Sequence, residues 1–405
     1  MKLLFLSGHY PPNTSGGGEI STHLIARGLV QAGHEVHVVC EGMRREDTEL
    51  EGVHVTRLPL GLTGKPLFER RASRRMSRQV QKVVDCTQYD ILHAHDFRSA
   101  LVLSEISHPR VVLTARDYAQ IAGDTNHYLW TGQIPQEPFR WKSIWDSHRV
   151  REAPFPRNLL RFWQYAYNIK YRQEAFLRIK NHIYISHSQQ KEISKFQNLS
   201  EALTAVIYNP IDPEYLTEPF HEGEAAQVLY IGRVEDYKGV RVLLSIWTNV
   251  IKAVPQVHLV IVGRGAQKKE YEQYVAARGL QYSVTFEESV PHWQIMQTYD
   301  KAAVVVAPHM WIEPFGRTVI EGMARGKTVI TSNLGGPGEF VTDGETGLVC
   351  EAGVPKSLEQ NIIKALTIDR YAKREMQRNA RRWVEQNLTI QTIAAQYEQF
   401  YEIAS

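Results

Sequence analysis

The sequence predicts an α/β protein built from two doubly wound domains. At 405 residues the chain exceeds one ordinary core and fits two domains of about 200 residues each. Short apolar segments alternate with amphipathic segments through both halves, as expected for parallel strands covered by helices on both faces. A glycine-rich turn follows the first apolar segment of each half, where such sheets bind ligands.

The first half begins with five predicted strands separated by helices. The strands are 2–7, 36–40, 53–58, 91–93 and 111–114, and the helices are about 19–31, 67–84 and 99–106. After an insertion, two more strands are predicted at 182–186 and 203–208. Continuous apolar strands joined through helices favour one parallel sheet.

Residues 115–180 interrupt this alternation with a long insertion in which aromatic and basic residues are interleaved. Its aromatic residues include Tyr128, Trp130, Trp141, Trp145, Trp163, Tyr165, Tyr167 and Tyr171. One long helix is predicted over 157–180, after Pro154 and Pro156. Three interpretations compete: a packed satellite core, a wall that binds an acceptor, and an interfacial membrane anchor. We favour the acceptor wall.

The second half repeats the alternation and ends in helices. Strands are predicted at 228–231, 258–262, 284–286, 303–307, 328–331 and 348–350, and helices at 240–252, 267–278, 292–299, 316–325, 355–367, 370–387 and 390–403. Prolines and turn-forming residues between Asn209 and Gly223 indicate a boundary. The predicted domains are therefore 1–207 and 208–388, with a terminal helix in 389–405.

Composition indicates a cytoplasmic protein. Hydrophobic residues make up 43% and charged residues 22% of the chain, and no run of about 20 apolar residues could span a bilayer. The N-terminal apolar run is too short for a signal peptide. Cys40, Cys86 and Cys350 are few and far apart, so we expect reduced, buried thiols. No cysteine and histidine spacing resembles a zinc site.

The net charge of +3 conceals an uneven distribution. Residues 1–200 contain 27 Lys and Arg against 19 Asp and Glu, whereas residues 201–405 contain 20 against 25. The basic excess is concentrated in the segment 65–82. Such a face could attract an anionic membrane surface or an anionic acceptor, or it could be an ordinary solvated helix face. Nucleic acid is disfavoured because no binding motif is present.

The segment from Glu313 to Glu321 is the strongest candidate site. Gly316 stands where a tight turn would present backbone amides at a helix N-terminus, which favours a phosphate. The two carboxylates flank those amides, and a carboxylate suits the hydroxyls of a sugar or ribose. Either glutamate alone is more often structural. Together they indicate a nucleotide-sugar site, supported by the glycine-rich run 335–339.

Two further turns could hold phosphates. Gly232, Arg233, Lys238 and Gly239 follow a predicted strand and combine a planar guanidinium with a mobile ammonium, which suits a diphosphate. Gly263 ends a neighbouring strand. In the first half, Gly16 to Gly18 lack the third glycine of the dinucleotide fingerprint, because that position is Ser21. A nicotinamide dehydrogenase is therefore disfavoured.

These motifs resemble the family-4 retaining glycosyltransferases. The resemblance covers nearly the whole chain and rests on the two glutamates separated by seven residues, Gly232-Arg233 with Lys238-Gly239, Tyr10-Pro-Pro with Gly16-Gly17, His93-Ala-His95-Asp96, 335–339 and 343–348. It implies the GT-B fold, in which two Rossmann-like domains face a central cleft. It also implies transfer of a sugar from a nucleoside diphosphate to an acceptor hydroxyl with retention, without a protein nucleophile.

The resemblance assigns roles to individual residues. Arg233 and Lys238 would stabilise the diphosphate, Glu313 would contact the donor sugar, and Glu321 would bind the ribose. The implied donor-binding set is Gly16, Gly17, Gly232, Arg233, Lys238, Gly263, Glu313, Phe315, Gly316, Arg317, Thr318, Val319 and Glu321. The implied catalytic set is Arg233, Lys238, Glu313, Arg116 and Asp117. The terminal helix would return to the N-terminal domain.

One position departs from the family pattern. Many relatives carry a histidine after the strand 111–114, where this chain has Arg116. Arg116 could bind sugar hydroxyls or the diphosphate, but a guanidinium does not deprotonate at physiological pH. We expect Arg116 and Asp117 in the cleft, His95 as a nearby substitute, and His95 with Tyr118 at the acceptor.

The remaining expectations concern partners and alternatives. The donor is a nucleotide sugar, the acceptor a carbohydrate or lipid-linked molecule, and the location cytoplasmic with peripheral contact to the inner face of the membrane through the basic N-terminal half. We expect no cofactor and no metal, since Arg and Lys can neutralise a diphosphate. The alternatives are a non-catalytic nucleotide-sugar-binding protein and a sugar-nucleotide epimerase or hydrolase. The base, sugar and acceptor stay open.

Overall fold

The fold is taken from a computed structural model, which describes residues 1–13, 16–64, 68–121, 154–217, 226–290 and 292–404. The chain divides into two compact units. The N-terminal unit comprises Met1–Pro210 with Ile390–Ser405, and the C-terminal unit comprises Ile211–Thr389. Each unit is a sheet with helices packed on it.

The N-terminal unit contains an eight-stranded sheet. Its strands are β1 (Lys2–Ser7), β2 (Glu35–Glu41), β3 (Glu46–Leu50), β4 (Val53–Leu58), β5 (Ile91–Ala94), β6 (Val111–Ala115), β7 (Asn181–Tyr184) and β8 (Leu203–Val206). Their spatial order is β3-β4-β2-β1-β5-β6-β7-β8. All neighbouring pairs are parallel except β3 with β4. The central strands are apolar because both faces of the sheet are covered by helices, whereas the edge strand β3 is polar.

Helices of the N-terminal unit follow the strands, and the last one comes from the end of the chain. They are α1 (Gly17–Gln31), α2 (Glu69–Val83), α3 (Phe97–Leu103), α4 (Arg157–Arg178), α5 (His187–Ser194) and α13 (Ile390–Ile403). Helix α13 packs closely on α1, since a Cβ at Gly28 would lie 2.6 Å from Ile390 Cγ2. The Tyr401 hydroxyl lies 2.7 Å from Nδ1 of the buried His93. Helix α13 therefore completes the N-terminal core.

The C-terminal unit contains a six-stranded, fully parallel sheet. Its strands are β9 (Gln227–Ile231), β10 (His258–Val262), β11 (Val284–Glu287), β12 (Val304–Ala307), β13 (Thr328–Ser332) and β14 (Leu348–Cys350), in the order β11-β10-β9-β12-β13-β14. The helices are α6 (Glu214–Thr217), α7 (Val240–Ala253), α8 (Lys268–Ala277), α9 (His292–Lys301), α10 (Arg317–Ala324), α11 (Pro355–Thr367) and α12 (Arg370–Asn387). Trp247 of α7 is fully buried in the core.

The predicted fold class of two Rossmann-like α/β domains is confirmed. Sequence reasoning missed β3, α5 and α6. Strand β3, with the sequence Glu-Asp-Thr-Glu-Leu, is polar because it pairs antiparallel at the sheet edge, so the search for apolar strands could not find it. Residues 122–153, with the aromatic residues Tyr128, Trp130, Trp141 and Trp145, lie outside the described residues.

Three predictions about composition can be compared with the structure. All three cysteine side chains are buried. Within the described ranges, every helix is too short or too polar to cross a membrane. Residues 69–82 of the basic segment lie on α2 and Phe68 caps this helix, whereas residues 65–67 are outside the described ranges.

Candidate functional site

The candidate site lies at the carboxyl edge of the C-terminal sheet, between β9 and β12. These strands are neighbours, but the chain continues from β9 to β10 on one side and from β12 to β13 on the other. Parallel α/β sheets bind ligands at such a reversal of strand order. The loop after β9 carries Arg233 and Lys238, and the loop after β12 carries Glu313. The topology therefore brings both phosphate-binding candidates to the glutamate motif.

Glycines allow these loops to approach each other. Gly239 has φ +80°, and a Cβ there would lie 1.8 Å from the carbonyl oxygen of Pro308. Gly335 has φ +78°, and its Cβ would lie 2.4 Å from the amide nitrogen of Glu313. Any other side chain would separate the loops or strain the backbone. The two glycines thus fix the backbone on either side of the site.

Lys238 and Glu313 form the centre of the site. Lys238 Nζ donates to Glu313 Oε2 at 2.6 Å, and both side chains are mostly buried. The indole Nε1 of Trp311 donates to the same carboxylate oxygen at 2.9 Å. The Lys238 ammonium also lies 4.9 Å from the Trp311 ring centroid, within range of a cation–π interaction. One carboxylate, one ammonium and one indole therefore form a compact cluster.

Glu313 stays ionised in this cluster. Burial raises its pKa, but the charge of Lys238, together with His309 and the Trp311 N–H, outweighs burial, so the pKa lies below its ordinary value. A charged, oriented carboxylate can accept hydrogen bonds from hydroxyl groups. The site therefore combines an acceptor for hydroxyls with a cation for phosphate oxygens.

Arg233 is the more exposed of the two cations. Its side chain is 66% exposed, and its Nη1 lies 3.8 Å from Glu235 Oε1. A hydrogen bond with Tyr237 raises its pKa. The Tyr230 hydroxyl donates to the Arg233 carbonyl at 2.6 Å and so fixes the backbone beneath it. An exposed guanidinium on a fixed backbone is free to meet an anionic ligand.

Glu321 lies on α10 with both carboxylate oxygens engaged. The Tyr299 hydroxyl donates to Oε2 at 2.8 Å, and Arg317 Nε lies 2.8 Å from Oε1. Glu321 is 6% exposed. Each oxygen keeps a second lone pair, so the carboxylate can still accept from a ribose hydroxyl. The pairing with Arg317 follows from their i, i+4 spacing.

Other predicted donor-binding residues shape the backbone of the same edge. Gly316 caps α10 with φ +89°, and the Val319 amide donates to its carbonyl at 2.9 Å. Thr318 Oγ1 lies 3.3 Å from the Ile231 carbonyl, which ties α10 to the end of β9. The side chain of Phe315 is buried against Phe340. Contact of these residues with a donor stays a prediction.

The loop after β10 reaches the same edge. Gly263 has φ +146°, and a Cβ there would lie 1.9 Å from the Gly232 carbonyl oxygen. The Gly232 amide donates to the Val262 carbonyl at 3.0 Å. These glycines therefore join two neighbouring strand ends, and their predicted contact with a donor is untested.

Arg116 forms a polar cluster in the N-terminal unit. Its Nε donates to the His95 carbonyl at 3.1 Å and its Nη1 to Asn209 Oδ1 at 2.6 Å. His95 is 1% exposed, and its Nδ1 lies 3.2 Å from Arg116 Nη2. Burial holds the pKa of His95 well below its ordinary value. The neutral ring is thus a partner of Arg116, and acceptor binding by His95 stays a prediction.

The other predicted residues of this unit have structural contacts. Asp117 Oδ1 accepts from the Ala119 amide at 2.9 Å, and Tyr118 is fully buried. The Gly16 amide donates to Glu19 Oε2 at 2.9 Å, and Gly17 begins α1. A phosphate at this amide would have to displace the Glu19 carboxylate. Their predicted ligand roles therefore remain untested.

Sequence reasoning missed Trp311 and Tyr299 as parts of the site. Each donates to one glutamate of the motif through a single side-chain hydrogen atom. Trp311 stands two residues before Glu313, and this short spacing is a signal from which its contact could be predicted. Tyr299 is 22 residues from Glu321, so the sequence offers no comparable signal for it. Across the described part of the chain, His, Cys, Asp and Glu side chains form no group of three or more that could hold a metal ion.

Comparison with known proteins adds two family matches. Residues 212–383 match the family described as Glycosyl transferases group 1. Residues 15–215 match the family described as Glycosyltransferase Family 4. The two matches together span nearly the whole chain.

Individual relatives and solved structures agree with these matches. An uncharacterized glycosyltransferase of Methanocaldococcus jannaschii is 23% identical over 100% of this chain and 98% of its own. Glycogen synthase of Mycobacterium tuberculosis is 25% identical over 99% of this chain and 94% of its own. Sucrose-phosphate synthase of Thermosynechococcus elongatus has a TM-score of 0.74 at 21% identity, and the match covers 99% of this chain and 98% of that structure. Anabaena HepE, solved with UDP and glucose, has a TM-score of 0.68 at 21% identity, with 99% of both chains covered.

Proposed function

Because the chain belongs to the family-4, group 1 glycosyltransferases of the GT-B fold, we propose that it transfers a sugar with retention from a nucleoside diphosphate to an acceptor hydroxyl in the synthesis of a cell-envelope glycan, polysaccharide or glycolipid. The observation that carries the proposal is the contact between Lys238 and Glu313 where β9 and β12 end. It sets a cation for the diphosphate beside a carboxylate for the sugar.

The proposed reaction needs no nucleophile from the protein. The bond between the anomeric carbon and the phosphate oxygen breaks, and the acceptor oxygen forms its bond on the same face of the sugar. The departing diphosphate gains negative charge, which Arg233 and Lys238 stabilise without a metal ion. The acceptor hydroxyl gives its proton to the departing phosphate. Glu313 and Glu321 hold the sugar and the ribose in place.

A thermal-shift screen tests the donor class. Purified protein is scanned with UDP, GDP, ADP and their common sugar conjugates, with and without EDTA. A ligand at 100 times its dissociation constant should stabilise the fold by about 2.7 kcal/mol. We expect one nucleoside diphosphate to raise Tm whether or not EDTA is present. A shift abolished by EDTA would contradict metal independence, and no shift with any ligand would contradict the donor site.

Two substitutions then test the placement of the site. Lys238→Ala removes the ammonium beside Glu313, and Glu321→Ala removes the carboxylate on α10. We expect each to lower kcat/KM for the donor at least tenfold, because each removes a charged contact worth more than about 1.4 kcal/mol. Lys364→Ala, an exposed lysine of α11, is the control. Wild-type kinetics in both site variants would show that the donor binds elsewhere.

We also propose that the enzyme works at the cytoplasmic face of a membrane, on a carbohydrate or lipid-linked acceptor. The support is a surface that we call the α2–α4 surface. Its five cations, which form no ion pair with any described residue, are Arg70, Arg71, Arg75, Arg78 and Lys82. Its exposed apolar side chains, 40 to 78% accessible, are Phe68, Phe155, Leu159, Leu160, Trp163 and Tyr167.

The two helices that carry this surface contact each other. The rings of Phe68 and Tyr167 lie 5.7 Å apart, edge to face, and the Glu69 amide donates to Asn168 at 3.2 Å. Exposed aromatic side chains enter the headgroup region, while nearby cations meet anionic lipids. The combination therefore fits an anionic bilayer better than a neutral one.

Vesicle co-sedimentation tests this location. The full chain is mixed with phosphatidylcholine vesicles that contain or lack 30% phosphatidylglycerol. We expect binding to the anionic vesicles alone, reduced at least tenfold by Arg71→Glu with Arg75→Glu and Arg78→Glu. The control reverses three exposed cations of the C-terminal unit, Lys269, Lys364 and Arg378. Equal loss in both triple variants, or no binding by the wild type, would refute the proposed surface.

A further inference from the structure

We propose that Trp311 is a positioning residue that decides which oxygen of Glu313 meets the donor sugar. This inference rests on the proposed function and adds a residue to it. Trp311 follows β12 and precedes the glutamate motif by two residues. It fixes the carboxylate so that Oε2 faces the protein and Oε1 faces the donor.

The two oxygens of Glu313 have different surroundings. Oε2 accepts from Lys238 Nζ at 2.6 Å and from Trp311 Nε1 at 2.9 Å. No described residue donates a hydrogen bond to Oε1. Since the Glu313 side chain keeps 16% exposure, Oε1 is the oxygen left to accept from a ligand hydroxyl.

The indole is itself held in place. Trp311 is 6% exposed, and its ring packs edge to face on Tyr237 at 5.4 Å. The Met310 amide donates to the Tyr237 carbonyl at 2.8 Å, which fixes the backbone beside it. Its N–H therefore has a defined direction before a ligand arrives, and such preorganisation makes recognition precise.

Trp311 also separates the tasks of Lys238 and Glu313. The ammonium has three hydrogen atoms and directs one to Glu313, so two remain for phosphate oxygens. Without the indole N–H, the carboxylate can turn and offer both oxygens to Lys238. The oxygen that would accept from the sugar would then be lost, whereas one ammonium hydrogen would still remain for a phosphate oxygen. We therefore expect Trp311 to matter for the sugar more than for the diphosphate.

The test compares a nucleoside diphosphate with its sugar conjugate by isothermal titration calorimetry. The probes are UDP with UDP-glucose, GDP with GDP-mannose, and ADP with ADP-glucose. Trp311→Phe keeps a ring beside Lys238 and removes the N–H. We expect Kd for the sugar conjugate to rise about tenfold, the scale of one hydrogen bond to a charged group. Kd for the nucleoside diphosphate should stay within about twofold.

Trp247→Phe is the matched control, because the Nε1 of this buried tryptophan has no acceptor among the described residues. It should change neither Kd. In a Glu313→Gln background, Trp311→Phe should cause no further loss, because the two side chains act through one contact. A purely structural role would instead give additive losses.

The outcomes separate this inference from the proposed function. If the wild type binds none of the six probes, the proposed function is overturned. If the wild type binds and Trp311→Phe weakens the diphosphate and its sugar conjugate equally, or neither, the positioning role alone is overturned. A selective, non-additive loss for the sugar conjugate supports it.

Discussion

Lys327 is a buried lysine, and the free-energy cost of burying its charge depends on pH. It is 1% exposed, and its Nζ donates to the Asp300 carbonyl at 2.8 Å. Burial lowers its pKa to about 8 from the ordinary 10.5, against the attraction of Asp300 and with the repulsion of Arg325 and Lys373. Between these two values the unfolded chain binds more protons than the folded chain. Stability contributed by this group therefore rises with pH from 8 to 10.5.

We expect Lys327→Met to be more stabilising, or less destabilising, relative to the wild type at pH 7 than at pH 10. The free energies of unfolding come from urea titrations at pH 7, 8, 9 and 10. The difference should change by at most about 1.4 kcal/mol per pH unit. Lys364→Met, at an exposed position of α11, should give a constant difference. Parallel curves for Lys327→Met would show that its pKa is the same in both states.

The site residues differ in how far the sequence could reveal them. Glu313, Glu321, Arg233 and Lys238 could be predicted because their charge, their spacing and the glycines beside them favour a nucleotide sugar. The hydrogen bond from the Gly16 amide to Glu19 and the burial of His95 could not be predicted from the sequence. The direction of the Glu19 side chain is not fixed by its three-residue spacing from Gly16, and the surroundings of His95 include residues distant in the sequence, such as Arg116. Motif spacing does not encode those directions.

At the scale of elements, apolar patterning located the buried strands and the long helices. It failed at β3, whose acidic and polar residues suit a sheet edge, and at α5, a short helix. Helix α5 is capped by Ser186, whose hydroxyl accepts from the Gln189 amide at 3.0 Å. A serine cap is a weak signal when the following residues are polar. Capping residues therefore indicate the ends of such short elements better than apolar periodicity does.

A buried ion pair joins α2 to α4. Arg172 donates from Nε and Nη2 to the two carboxylate oxygens of Glu69, at 2.7 and 2.6 Å, and both side chains are under 10% exposed. We expect Arg172→Met to lower the free energy of unfolding by about 3 to 5 kcal/mol, since it leaves a carboxylate buried without a partner. Urea denaturation measures this loss.

The double variant Arg172→Met with Glu69→Leu should recover most of that stability, because neither charge remains buried. Arg241→Met is the control, since Arg241 pairs with Glu270 on an exposed surface and should cost at most about 1 kcal/mol. Additive losses in the double variant would contradict the coupling of Arg172 and Glu69.

In the molecule as a whole, the stability of the N-terminal unit depends on α13, the last helix of the chain. Tyr401 of α13 is fully buried, and its hydroxyl bonds to His93 of β5 at 2.7 Å. Arg110 Nε also donates to the Ala404 carbonyl at 3.0 Å. We expect Tyr401→Ala to cost about 3 to 5 kcal/mol, as for other large aromatic truncations in a core. The loss should fall on the N-terminal unit, although the substitution follows the whole C-terminal unit in sequence.

Hydrogen exchange read by mass spectrometry locates that loss, because local opening exposes only the amides of the affected unit. In Tyr401→Ala, peptides from β5 and β6 should exchange faster, while those from β9 and β12 should keep wild-type rates. Tyr371→Ala is the control, since Tyr371 is 83% exposed on α12. If β9 and β12 exchanged faster by the same factor as β5, the two units would unfold as one. Helix α13 would then stabilise the molecule as a whole instead of the unit on which it packs.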